Sequence, residues 1–303
     1  MKVFDGFCNI PNLSLALGFF DGVHKGHEVV LKNAVQFAVQ NNSKSGVILF
    51  DKHPSEILFN KHFEHLIPLG DKLDMLSALN FDYAFVIKFT PEFSQISPHD
   101  YVENILVKYF SPCAITTGFS HTFGKNAEGT PVLLENLSSS FGYKYFQIPP
   151  VTFKNHSVCS SAIRRAVKNS DFDLAKDLLG YDFYVKSFVV HGNEIARTFG
   201  FPTANIVYPE DIVKIDTGVF LTNVTLHGKS YFGLLNYGFR PTLGKDEAPV
   251  CEVFIDGVDE NLYGRSLKIE FLSKIRDEQK FASFSDLKKQ IQKDLKFLQN
   301  YPG

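Results

Sequence analysis

Two histidines, His24 and His27, stand three residues apart in the stretch GFFDGVHKGHEVVL, Gly18 to Leu31. Imidazoles donate hydrogen bonds, so a pair at this spacing can hold a phosphate whose charge grows while it is attacked. Gly18 and Gly26 frame the pair and would let backbone and ligand approach closely. Residues three apart fall on one face of a helical turn. Two other chemistries fail on the residues themselves. A zinc protease needs H-E-x-x-H, and Leu31 stands where its second histidine belongs. No G-x-x-x-x-G-K-[ST] loop occurs. The stretch HFEH repeats the spacing at His62 and His65, but without glycines or a preceding strand. It reads as a surface pair.

The elements that must position His24 and His27 alternate. LSLALGFF reads as a buried strand, followed by a helix from about Gly26 to Asn41. Further apolar runs, SGVILF, YAFVIKF, CAITTG and YKYFQIP, are separated by helical patterns near Asp71–Leu79, in PHDYVENILVKYF and in PVLLENL. Short continuous apolar runs between helices predict a doubly wound α/β domain with a parallel sheet. Such sheets bind ligands at the carboxyl ends of their strands, and a helix N-terminus there offers amides to phosphate. The histidine pair sits at that kind of place, between strand and helix.

After about Gly180 the pattern changes. FYVKSFVVHG, GVFLTNVTLHG, KSYFGLLNYG, VCEVFID and SLKIEFL are strand-like and separated by turns, and LHGKS has the residues of a hairpin turn. This predicts a small antiparallel barrel over residues 181–303, after an N-terminal domain over 1–180. Leu287, Ile291, Leu295 and Leu298 recur at helical spacing near the C-terminus, with Ser285 as the expected N-cap. The segment NSDFDLAKDLLGYDF joins the domains as a helix and a turn.

Composition narrows the function classes. A chain of 303 residues suggests two domains at roughly 150 residues each. A net charge of −2 argues against a general nucleic-acid binder. No apolar run approaches the ~18 residues of a membrane span, and the first residues lack a signal peptide's apolar stretch. Cys8, Cys113, Cys159 and Cys251 are scattered without a C-x-x-C pair, which fits a reducing cytoplasm. No obligate protein partner is evident.

Six stretches together carry a resemblance. GFFDGVHKGH resembles the G-x-F-D-x-x-H-x-G-H motif of the H-x-G-H nucleotidyltransferases, and FDKHP their F-D-x-H-P stretch. CSSAIRRAV resembles the S-S-T-x-I-R block, with Ser160, Ser161 and Arg164 matching and Cys159 replacing a serine. GFPTANI matches a P-T-A-N motif, NYGFRPTLG an N-x-G-x-R-P-T segment, and CEVFID followed by LYG a stretch bearing a catalytic glutamate. In this order they resemble the bacterial bifunctional riboflavin kinase and FMN adenylyltransferases, also called FAD synthetases.

The resemblance implies phosphorylation of riboflavin by ATP to FMN, then adenylylation of FMN to FAD with release of pyrophosphate. It implies that His24 and His27 act on the ATP phosphates, with Gly18, Phe20, Asp21, Gly26, Ser160, Ser161 and Arg164 binding ATP. Asp51 and His53 are candidates near the nucleotide or simply a strand-end loop. Gly118, Phe123 and Gly124 would contact flavin or nucleotide, as would Arg240, and Arg276 is a further candidate. In the barrel the resemblance implies Glu252 as general base, and Thr203 and Asn205 as oxygen ligands of Mg²⁺, a hard cation that favours such ligands. Read alone, P-T-A-N is a turn entering a strand. One stretch departs from the family: TTGFSHTFGKNAEG carries Ser120 and His121 where a polar residue and a phenylalanine are expected. Ser187 and Ala196 stand where the family often has glycine. The Ser120–His121 departure leaves an alternative open, a riboflavin kinase whose N-terminal domain only binds nucleotide or flavin. An adenylyltransferase for another phosphate substrate is the second alternative, opposed by P-T-A-N and R-P-T.

Overall fold

Six parallel strands form the sheet of the first of two units into which the chain divides, Met1–Ser160 and Ser161–Gly303. The computed structural model describes residues 1–191, 202–239 and 249–301. The strands are β1 (Lys2–Asp5), β2 (Leu13–Leu17), β3 (Lys44–Phe50), β4 (Tyr83–Ile87), β5 (Ala114–Gly118) and β6 (Lys144–Ile148). Their order is β1-β4-β3-β2-β5-β6. The apolar runs became strands because the sheet is covered. Leu13, Leu15, Ile48, Phe85 and Ile115 are buried in one core with Phe110 and Leu134. From β2 the chain winds through β3 to β4 on one side, and later places β5 on the other side of β2. The strand order reverses between β2 and β5, so a crevice opens at their carboxyl ends.

Helix α1 (Lys25–Gln40) follows β2, and α2 (Pro54–Leu58) and α3 (Leu69–Ala78) follow β3. The expected helix over PHDYVENILVKYF forms as one helical stretch from Pro98 to Phe110, with π geometry over Tyr101–Val107. β1 was not expected: it is a four-residue edge strand with an exposed pattern. A short hairpin of β7 (Thr152–Phe153) and β8 (His156–Ser157) precedes a helix at Ser160–Lys168.

The second unit contains the predicted antiparallel barrel. Its strands are β9 (Tyr184–Val190), β10 (Ala204–Ile206), β11 (Gly218–Leu226), β12 (Lys229–Gly238), β13 (Val250–Ile255) and β14 (Ser266–Arg276). They close in the order β10-β13-β12-β11-β14-β9. The predicted LHGKS hairpin joins β11 to β12. His227 and Gly228 both take positive φ there, 50° and 75°, as a two-residue turn requires. Phe183, Phe220 and Phe271 are buried and pack with Phe172 of the preceding helix, Phe172–Leu179, at ring separations of 5.2 to 6.5 Å. The abundant phenylalanine is core material here.

The terminal helix runs over Phe284–Gln299, and its cap is Ser283, not the expected Ser285. The Ser283 hydroxyl accepts the Asp286 N–H at 3.2 Å. Leu295 and Leu298 pack against Leu221 and Leu234 of the barrel. Arg276, a further candidate in the sequence, anchors this helix. Its guanidinium makes three bonds of 2.9 to 3.2 Å to the Asp294 carboxylate, which is 7% exposed.

Candidate active site

The turn from β2 into α1 is built from Gly18 to His24. Phe20 takes φ 50°, Gly22 79° and Val23 37°, so the chain bends sharply before the helix begins. A Cβ at Gly18 would lie 2.9 Å from the Phe20 ring, so glycine leaves that ring its place. His24 is the N-cap of α1. Its Nδ1 accepts the His27 N–H at 3.2 Å, and its carbonyl accepts the Glu28 N–H. A neutral imidazole that accepts at Nδ1 carries its proton on Nε2, so the Nε2–H is a donor. The two rings stack at 3.5 Å and 15°, and Phe20 meets His27 edge-on at 5.3 Å. Gly26 makes room for this: a Cβ there would lie 3.2 Å from the His24 ring and 3.3 Å from the Val158 carbonyl. The structure thus brings the two histidines together at the mouth of α1, at the crevice between β2 and β5.

Other predicted site residues support that turn. The buried Asp21 carboxylate accepts the Leu66 N–H at 3.0 and 3.2 Å. Ser160, the first residue of its helix, donates its hydroxyl to the Asp21 carbonyl at 3.0 Å. Ser161 and the half-buried Arg164 follow on the same helix but belong to the second unit. Asp51 Oδ1 accepts the Phe89 N–H at 2.9 Å, so it braces a loop. His53 caps α2, accepting from the Ser55 N–H, while Glu56 accepts the His53 N–H at 2.7 Å. Its ring stacks on Phe63 at 3.8 Å and touches Phe19 at 4.9 Å. His65 corrects the sequence reading. It is not a surface residue: its side chain is 16% exposed and packs against Phe19 and Phe63. Only His62 of that pair is exposed.

In the barrel, Asn205 on β10 lies directly opposite Glu252 on β13, and Glu252 lies opposite Asn236 on β12. Residues directly opposite share a face of the sheet, so the three form one row. Cys251, Val253 and Ile255 are buried on the inner face, which puts Glu252 and Phe254 on the outer one. Burial pushes the Cys251 thiol up, and the Glu252 charge adds to this, so that thiol stays protonated. Asn205 is 8% exposed. Thr203 lines a cavity of about 290 Å³ with Val189, Ile255, Asp259, Glu260 and Tyr263, which does not include Glu252. Thr203 and Asn205 offer oxygen donors, the kind that suits Mg²⁺. Among the described residues no group of three His, Cys, Asp or Glu is placed to hold a metal. Arg240 and Ala196 lie outside the described residues. Asn236 escaped the sequence reading, although it lies in the quoted NYGFRPTLG.

Two family models match the chain, FAD synthetase over residues 9–162 and riboflavin kinase over 179–301. The bifunctional riboflavin kinase/FMN adenylyltransferase of Listeria monocytogenes is 35% identical over 93% of this chain and 90% of its own. The chain belongs to the bifunctional riboflavin kinase/FMN adenylyltransferase family. A member from Bacillus subtilis is 34% identical over 92% of this chain and 89% of its own. A crystal structure described as a macrolide-efflux protein from Streptococcus pneumoniae covers 100% of both chains with a TM-score of 0.90 at 26% identity. Among the described residues no helix is long and apolar enough to cross a membrane.

The stretch that departs from the family keeps its aromatic packing. Phe123 is buried in the core against Tyr101 at 5.3 Å, and His121 stacks on Phe123 at 5.7 Å. Burial pulls His121 down to about 4, so it is neutral at physiological pH and packs as an aromatic ring. Phe123 and Gly129 exchange two backbone bonds that close the loop after Gly118. Gly124 is held at φ 71°, ψ −175°, a region open essentially to glycine, and a Cβ there would lie 2.8 Å from Pro98. Gly124→Ala is therefore expected to destabilise this loop by about 1–3 kcal/mol. Faster amide exchange at residues 118–129 than in wild type would show it. Ser187, in place of the family's glycine, donates its hydroxyl to the Val207 carbonyl at 2.7 Å, tying β9 to the end of β10.

Proposed function

We propose that this chain phosphorylates riboflavin with ATP and then adenylylates FMN, releasing pyrophosphate and FAD. Adenylyl transfer is assigned to residues 1–180 and the kinase to 181–303. The observation that carries the reading is the stacked His24–His27 pair at a helix mouth, in a chain that aligns nearly end to end with bifunctional relatives. An FMN phosphate oxygen attacks the α-phosphorus of ATP, and the bond to the β-phosphate oxygen breaks. This in-line displacement needs placement and charge neutralisation, with no protein nucleophile. His24 Nε2–H and His27 donate to the phosphate oxygens where charge grows. Gly18 and Gly26 admit the backbone, and Phe20, Asp21 and Ser160 keep the turn in shape. Ser161 and Arg164 grip pyrophosphate, which a planar guanidinium meets at two oxygens. Gly118, Phe123 and Gly124 shape the loop toward the nucleotide or flavin.

In the kinase, Glu252 takes the proton of the ribityl 5′-hydroxyl as that oxygen attacks the γ-phosphorus of ATP, and the bond from the γ-phosphorus to the bridging oxygen breaks to release ADP. Thr203 and Asn205 would hold Mg²⁺, which would supply neutralisation of phosphate charge. Arg240 contacts flavin or phosphate. The protein acts in the cytoplasm on small molecules, with no nucleic acid, membrane or obligate protein partner. Its net charge of −2 and scattered cysteines support this.

Incubation with riboflavin, ATP and Mg²⁺, followed by separation of the flavins, tests the reading. FMN and then FAD should accumulate. FMN alone would favour a kinase whose N-terminal domain only binds. A second expectation concerns the Mg²⁺ ligands. Replacing Thr203 and Asn205 together with alanine should raise the Mg²⁺ and ATP concentrations needed for riboflavin phosphorylation, and leave FAD formation from supplied FMN unchanged. Steady-state titrations of each activity check this. Equal loss of both would mean one shared centre or a misfolded chain.

A further inference from the structure

Lys72 on α3 is a buried lysine outside the residues assigned above to either reaction. It is 2% exposed. Its Nζ donates to the Phe19 carbonyl at 2.8 Å and lies 4.2 Å from the centre of the Phe19 ring. Taking an ammonium out of water is costly, and a methionine would fill similar space without that cost. The Phe19 carbonyl opens the turn in which Phe20 and Val23 take positive φ, an unfavourable conformation for residues with side chains. Backbone of this kind persists only where its surroundings over-determine it. Three contacts do so: Lys72 on the Phe19 carbonyl, the Leu66 N–H on the Asp21 carboxylate, and Ser160 on the Asp21 carbonyl. Asp21 also attracts the Lys72 charge.

We propose that Lys72 is a positioning residue for adenylyl transfer: its ammonium holds the Phe19 carbonyl beside Asp21, and so fixes the bent turn that delivers His24 and His27. This rests on the reading of that turn as the adenylyl site. Burial pulls Lys72 down to about 8, with Asp21 opposing the shift. The charge is therefore present below pH 8 and lost as pH rises through it. The titratable groups around it are Asp21 in the turn, Asp71 on its own helix, and His53 and His65, which touch the Phe19 ring.

The test uses the full chain as wild type, Lys72→Met and Lys72→Arg. Each is assayed for FAD formation from FMN and for FMN formation from riboflavin, from about pH 7 to 9.5, to bracket the lysine's titration. Lys72→Met should lower kcat for FAD formation about tenfold to a hundredfold, the scale of a small misplacement of reacting groups. KM values and the kinase should stay near wild type. Wild-type FAD formation should decline through a one-proton limb near pH 8 that Lys72→Met lacks. Lys72→Arg, charged throughout, should lose the limb while keeping more activity. A wild-type profile without that limb overturns the proposal and needs no variant to fold. So does a Lys72→Met enzyme with wild-type kcat, or one that loses both activities together. His27→Ala in the same assays separates the two readings: if it too leaves FAD formation intact, the turn is not the adenylyl site. If it abolishes FAD formation and Lys72→Met does not, only the role of Lys72 falls.

Discussion

Replacing His27 with alanine is expected to cut FAD formation from supplied FMN by about 10²–10³, the cost of one donor to developing charge. Riboflavin phosphorylation should stay near wild type, because Glu252, Asn205 and Thr203 belong to the other unit. The geometry makes the substitution a clean one. The bond that caps α1 runs from the His27 backbone N–H to His24 Nδ1, and alanine keeps that N–H. What is lost is the imidazole itself, with its stacking on His24 and its edge contact with Phe20. Thermal melting near wild type, together with the loss of FAD, would place the effect in the reaction. FAD formation at the wild-type rate would remove the histidine pair from the chemistry.

The parts of the fold legible in the sequence are those whose burial leaves a local pattern. LSLAL, GVILF and YAFVI are continuous apolar runs because the sheet is covered, and they became β2, β3 and β4. The edge strand β1 has little to bury and left no such run. β10 has only three residues, too few to show a period. Of the candidate site, the histidines and their framing glycines were readable because motif and geometry coincide within ten residues. The contacts of Asp21 and Lys72 were not. Each meets a partner more than forty residues away, Leu66 and Phe19, and local spacing carries no trace of such pairings. Lys72 also looks like an ordinary polar position of an amphipathic helix. Likewise, alternation put Glu252 on a face but could not say what stood beside it. Strand register, a tertiary property, set Asn205 and Asn236 on either side.

That row frames the other large effect. Glu252→Gln is expected to slow riboflavin phosphorylation by about 10²–10⁴, the usual contribution of a general base. Flavin binding should change little. The amide keeps the shape of the side chain and can still hydrogen-bond a hydroxyl, but it cannot accept the proton as the oxygen attacks. Phosphoryl transfer also depends on positioning, so a residual rate should persist. No neighbour in the row can replace the base: Asn205 and Asn236 are amides. Cys251 faces the barrel interior with its thiol held protonated. The same variant, given FMN and ATP, should still make FAD through His24 and His27. Riboflavin titration by fluorescence and product assays from each starting flavin read both halves. A variant that phosphorylates riboflavin normally would take Glu252 out of the reaction, and would turn attention to the exposed Asp256 just beyond the same strand.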